Sequence, residues 1–88
     1  MRTRRILYSS RFERALAALG GEYKEIIAQR EEIFKEDCFD PRLKTHKLKG
    51  KWRGNWSFSL TYSHRVLFEF MEDGTVGFID VGDHSIYQ

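Results

Sequence analysis

The groups in this chain that can move protons or hold anions are few enough to name. Three histidines, His46, His64 and His84, lie far apart, and Cys38 is the single cysteine. There is no HExxH pair and no cysteine cluster, so a metal site has no template here. No glycine-rich loop is present to cradle phosphates, and no glycine elbow surrounds a serine. What remains suits phosphodiester chemistry without a metal. Cleaving RNA through its own 2′-hydroxyl needs a base for that proton and a cation for charge on the phosphoryl oxygens. It also needs an acid for the leaving 5′-oxygen. Histidine titrates near neutrality and serves on either side. Arginine matches phosphate with a planar fork. His46, Arg65, His84 and Tyr87 are the candidates for these roles.

A cationic stretch accompanies them. From Arg42 to Arg53 there are six Lys or Arg residues and no acid, whereas from Glu69 to Asp83 there are five acids and no Lys or Arg. Net charge is only +2, so the basic zone is local, and a local basic zone points to a polyanionic partner. If this stretch is extended, Lys47, Lys49, Lys51 and Arg53 project to one side at a spacing that can track phosphates. Arg42, Lys44 and Trp52 complete the candidate RNA-binding set, since unstacked bases pile onto aromatic rings. Trp52 reads equally well as core. Trp56 leads the apolar face of a strand and reads as core. A solvated basic face is the plainer alternative for the whole stretch.

These residues need elements to hold them. Arg4 to Tyr8 reads as a first strand. Ser10-Arg11-Phe12-Glu13 reads as a capping box opening a helix that carries Phe12, Ala15, Leu16 and Leu19, and Gly20-Gly21 ends it. A second helix is expected from Glu22 to Asp37, with Tyr23, Ile26, Ile27, Ile33 and Phe34 as its stripe and the stem of Arg30 packed among them. Asp40-Pro41 breaks it. The period then changes to two. Trp56, Phe58, Leu60 and Tyr62 alternate with Ser57, Ser59 and Thr61 as a half-buried strand. Arg65 to Met71 follows, then an Asp73-Gly74 turn, then Thr75 to Val81. Lys47 to Trp52, before a turn at Gly54-Asn55, is a candidate for one more short strand. Gly82 is expected to bend the chain so that the tail returns over the sheet. The fold class is α+β: an N-terminal strand, a two-helix hairpin, then three or four antiparallel strands with the helices on one face.

Eighty-eight residues fit one domain, 1–88, marginal in stability by itself. One cysteine forbids an internal disulfide, and Cys38 is expected to be a small apolar filler in a reducing cytoplasm. No apolar run approaches the roughly 20 residues of a membrane helix, and the run after the basic N-terminus is too short for a signal peptide.

Four segments resemble a known family in order and spacing. They are Asp40-Pro41-Arg42-Leu43-Lys44-Thr45-His46-Lys47-Leu48-Lys49-Gly50, Trp56-Ser57-Phe58-Ser59, His64-Arg65-Val66-Leu67-Phe68-Glu69-Phe70 and Gly82-Asp83-His84-Ser85-Ile86-Tyr87. Together they are similar to toxins of the RelE/ParE superfamily, nearest the RelE/StbE-type, YafQ-like and YoeB-like mRNA interferases. The resemblance spans roughly residues 3 to 88. It implies a RelE-like fold and the toxin of a type II toxin–antitoxin system. It implies a ribosome-dependent endoribonuclease that inhibits translation, with no cofactor and no metal. Its implied partners are a cognate antitoxin, messenger RNA and the ribosome with its 16S rRNA.

By position, His46 stands where YafQ-like toxins have a histidine and YoeB-like toxins a glutamate base. Arg65 stands where YoeB-like toxins have a phosphate-contacting arginine, and His84 matches the C-terminal histidine of both. Tyr87 resembles the aromatic that closes the site, at a different spacing. No aspartate stands near Thr61 to His64, where YafQ-like toxins carry one. Two alternatives stay open: a ParE-type inhibitor of DNA gyrase, which generally lacks the histidine pair, and an inactive homologue that only binds an antitoxin.

Overall fold

The computed structural model describes residues 2–87. Strand β1 (Arg5–Tyr8) leads into helix α1 (Ser10–Leu19) and helix α2 (Gly21–Glu36). A 3-10 turn (Pro41–Leu43) precedes β2 (His46–Lys47), and a second (Gly50–Trp52) precedes β3 (Trp56–Ser59). Strands β4 (Arg65–Phe70) and β5 (Thr75–Gly82) follow, and a last 3-10 turn (His84–Tyr87) closes the described chain. No helix among the described residues is long and apolar enough to cross a membrane.

The cap of α1 lies one residue earlier than the capping box predicts. Ser9 is the extended cap residue, and its Oγ accepts from the Phe12 amide at 2.9 Å. Its hydroxyl also donates to the Ile79 carbonyl at 2.6 Å, which ties the helix start to β5. Ser9 has this second partner in the sheet, and that decides between two adjacent serines. A single residue, Gly20, joins the helices. Its φ of +100° suits glycine, its amide donates to the Leu16 carbonyl, and its own carbonyl accepts from Tyr23 and Lys24.

The sheet has five strands in the order β1-β5-β4-β3-β2. The last four in sequence are antiparallel neighbours, as expected, and β1 adds parallel to β5. Both helices pack on one face. Phe12, Ile27 and Phe34 from the helices meet Phe58, Val66, Phe68, Val76, Phe78 and Val81 from the sheet. Phe34 is wholly buried, with ring centroids 5.1 Å from Phe58, 5.1 Å from Phe68 and 5.4 Å from Phe78. Cys38 is buried in the same core, and desolvation pushes its thiol pKa up, as befits a filler.

Two expectations need correction. The strand expected over 56–62 stops at Ser59, because Ser59 must pair with Arg65 and the intervening five residues are used in the turn. Leu60 stays buried, but Tyr62 stands 99% exposed rather than on an apolar face. The strand expected over Lys47 to Trp52 shrinks to two residues, with Lys49 and Gly50 leaving the sheet. Gly50 adopts φ +66°, and the Trp52 and Arg53 amides donate back to Lys49 and Gly50. At Gly82, as expected, β5 ends and the tail returns over the sheet, the missing side chain admitting Ile86, as described below. The turn at Asp73-Gly74 does form, with φ of +54° and +75°.

A bulge shapes the sheet. Phe68 pairs with Phe78 while the preceding Leu67 pairs with Asp80, so Ile79 is extra on β5. Beyond it the alternation flips. Val81 turns to the helices and Asp80 to the opposite face, where Arg11 Nε lies 3.4 Å from its carboxylate.

Candidate functional site

The helix-free face is built in rows set by register. One row is His46, Ser57, Leu67 and Asp80, and the next is Ser59, Arg65 and Gly82. Successive rows on one face lie about 7 Å apart along a strand. Arg65 Nη1 donates to the Ser59 hydroxyl at 2.9 Å across this second row. His46 is exposed at the sheet edge; its Nδ1 lies 3.1 Å from the Lys44 carbonyl and its Nε2 lies 3.4 Å from Ser57 Oγ.

At the end of these rows opens a cleft of about 700 Å³. Four cations line it: Arg30 from α2, Arg42 and Lys44 from the turn after it, and Arg65 from β4. His84 lines it too, and Asp83 is its one acid. Arg42, Lys44, Arg65 and His84 thus come together as the sequence suggested. Arg30 is the cation that sequence reading left out of the set. Its signal was a charge interrupting an apolar stripe, and its guanidinium reaches the Arg42 carbonyl at 3.4 Å. His46 and Tyr87 do not line the cleft. Neither do Lys47, Lys49, Lys51, Trp52 and Arg53, and Lys47 points to the face opposite His46.

A second cleft of about 810 Å³ lies between β1 and the β4–β5 turn. It mixes Arg4 and Arg5 with Glu69, Glu72 and Asp73 and contains no histidine. Among the described residues no group of three or more His, Cys, Asp or Glu is placed to hold a metal ion.

Two carboxylates, Asp40 and Asp83, and the His64 ring bear on the residues that line the first, basic cleft. Asp40 accepts from the Arg42 amide at 2.9 Å, from Nε at 3.0 Å and from Nη2 at 2.9 Å. This fork holds the Asp40 carboxyl well below the ordinary range, at about 2. A carboxyl whose folded pKa is depressed adds stability above its unfolded value, and that stability is lost as pH falls through the folded value. Asp40→Asn is therefore expected to destabilise the chain at pH 7, with the difference from wild type fading between about pH 4 and pH 2. Urea unfolding at several pH values measures this; a difference that stayed constant would trace the loss to capping alone. Asp83 is also held below its ordinary range, chiefly by the Ser85 amide and hydroxyl and further by His64 and His84. His64 is tied to α2: its Nδ1 lies 3.1 Å from the Tyr23 hydroxyl and 2.8 Å from Ser63 Oγ.

The C-terminal turn lies over the helix-free face. Ile86 is buried, and a Cβ on Gly82 would sit 2.7 Å from its Cγ2. The Trp52 indole N–H donates to the Tyr87 carbonyl at 2.9 Å. Gly82→Ala is expected to cost about 1–3 kcal/mol, as overpacking does. Combined with Ile86→Ala it should cost less than the sum of the two single changes in urea unfolding. Simple additivity would show that the contact is not the cause.

The fold described here, a helix hairpin on a five-stranded sheet, is one shared with solved structures of YafQ and of a YoeB/ParE toxin. No protein-family model and no characterised protein matches the sequence, so the likeness comes from solved structures. YafQ from E. coli superposes with TM-score 0.78 at 13% identity, over 99% of this chain and 98% of that one. YafQ in the E. coli DinJ–YafQ toxin–antitoxin complex superposes with TM-score 0.74 at 14% identity, over 92% of each chain. A YoeB/ParE toxin from Agrobacterium tumefaciens superposes with TM-score 0.68 at 22% identity, over 91% of this chain and 98% of that one. At these identities the likeness is one of fold, and at that level the RelE-like expectation is met.

Proposed function

We propose that this chain is the toxin of a toxin–antitoxin pair and acts as a ribosome-dependent endoribonuclease on messenger RNA in the cytoplasm. The observation that carries the reading is the convergence of Arg65 and His84 on one cleft lined by three further cations. RNA phosphates enter along Arg30, Arg42 and Lys44, and the outlying Lys47, Lys49, Lys51 and Arg53 extend the attraction to neighbouring phosphates and 16S rRNA. Arg65 binds the scissile phosphate and offsets charge on its non-bridging oxygens. His84 carries one of the two proton transfers from within the cleft, and His46, outside it at the sheet edge on the row next to Arg65, carries the other on RNA that spans both rows. One takes the 2′-hydroxyl proton as that oxygen bonds to phosphorus, and the other protonates the 5′-oxygen as its bond breaks. The products are a 2′,3′-cyclic phosphate and a 5′-hydroxyl. Tyr87 flanks His84, with ring centroids 6.1 Å apart. The ribosome supplies positioning that an open cleft with few catalytic groups lacks.

A cognate antitoxin is the protein partner, by the likeness to a toxin solved with its antitoxin. It neutralises by covering the cleft or displacing the C-terminal turn. Primer extension on a message translated in a reconstituted system tests the reading, with a ribosome-free control. Cuts inside codons that require ribosomes support it. Intact messages with translation unaffected overturn it, and blocked gyrase supercoiling in that case would favour the ParE-type activity.

A further inference from the structure

Trp52 is separated from Tyr87 by 35 positions, yet its side chain reaches the last described turn. That turn is four residues long, and a 3-10 segment of this length has little stability of its own. Its local support is Asp83, whose Oδ1 accepts from the Ser85 amide at 2.9 Å and whose carbonyl accepts from Ile86 at 3.1 Å. Everything else that seats it is tertiary. Ile86 plugs onto Gly82 from below. From the side, the Trp52 indole donates to the Tyr87 carbonyl at 2.9 Å, and its ring meets the Tyr87 ring edge-on at 6.5 Å. Tyr87 in turn meets His84 edge-on at 6.1 Å. A continuous contact path therefore runs from the β2–β3 loop through Trp52 and Tyr87 to His84.

We propose that Trp52 is a positioning residue, a strap that holds the C-terminal turn so that His84 faces the cleft, rather than a platform on which bases stack. Its donor is already engaged within the chain, and Lys51 Nζ lies 5.6 Å from the centre of its ring. A stacking platform needs an open ring face, while a strap needs the hydrogen bond. The two roles therefore differ in which atom matters. The kinetic side of this inference rests on the nuclease reading; the structural side does not.

The test removes the donor and keeps the ring. Trp52→Phe and the isosteric Trp52→benzothienylalanine both lack the N–H, and the second conserves shape, so a loss of packing cannot account for its effect. Two readouts are taken on the full chain: 15N relaxation of the Ser85 to Tyr87 amides, and ribosome-dependent cleavage resolved into kcat and KM. In both variants the order parameters of the turn should fall from a rigid value near 0.85 toward about 0.6. Turnover should fall about three- to tenfold, the population change that one ordinary hydrogen bond supports, with KM within about twofold of wild type. Unchanged order parameters in the isosteric variant overturn the strap. So does a raised KM with unchanged turnover, which would return Trp52 to RNA contact. If the wild type does not cleave RNA at all, the proposed function fails, and the relaxation data still decide whether Trp52 holds the turn.

Discussion

Arg65→Ala is expected to lower turnover in RNA cleavage by about 100- to 1,000-fold, the usual cost of removing one group that stabilises transition-state charge. KM should change little, because Arg30, Arg42 and Lys44 remain to hold the substrate. The guanidinium offers five donors, and the Ser59 hydroxyl takes one at 2.9 Å, which fixes the orientation of the rest. Charge on the non-bridging oxygens grows only as the fifth bond to phosphorus forms, so the interaction belongs to the transition state more than to binding. Arg65→Lys should recover little, because an ammonium on a flexible stem cannot reproduce the fork. Single-turnover cleavage by variants whose near-UV circular dichroism matches wild type checks this. A rise in KM alone would move Arg65 into the binding set, and unaltered cleavage would remove it from the chemistry.

The second large effect is on stability. Phe34→Ala should cost about 3–5 kcal/mol. A domain of this size holds only a net stability at the low end of roughly 5–15 kcal/mol. About 0–2 kcal/mol would remain, so between a few per cent and about half of the chain would be unfolded at 25 °C. Phe34 is wholly buried and touches three rings, one each from β3, β4 and β5, so its loss opens a cavity where α2 seats on the sheet. Phe34→Leu should cost much less, since it keeps most of the volume. Urea unfolding of both variants measures the difference. A cost below about 1 kcal/mol for alanine would mean that α2 is not seated as described. A bound antitoxin would mask part of the loss, because a ligand of the folded state adds stability by mass action. The measurement therefore uses the free chain.

The local periodicities were legible because each element's apolar positions recur at its own spacing. Tyr23, Ile26, Ile27, Ile33 and Phe34 mark α2 whatever it packs against, and Val66, Phe68 and Phe70 mark one face of β4. Asp73-Gly74 announces its turn because both residues tolerate positive φ. The candidate site residues were singled out by type. Arg65 and His84 are indeed neighbours on one cleft.

What stayed hidden depends on partners distant in sequence. Strict alternation along β5 would send Asp80 to the helices with Val76 and Phe78. The bulge at Ile79 sends Val81 there instead, and its register is set by β4. The cationic strip dissolves because β3 pairs with only two residues before Gly50 leaves the sheet. Arg30 joins the cleft only because α2 crosses above the Pro41–Leu43 turn, and Trp52 meets Tyr87 only because the last turn folds back over the helix-free face. By itself, then, the sequence determined most of the elements and offered the candidate groups, since these follow from side-chain type and near-neighbour spacing. The tertiary structure alone decided which groups share a cleft, because that depends on strand register and on contacts between segments up to 70 residues apart.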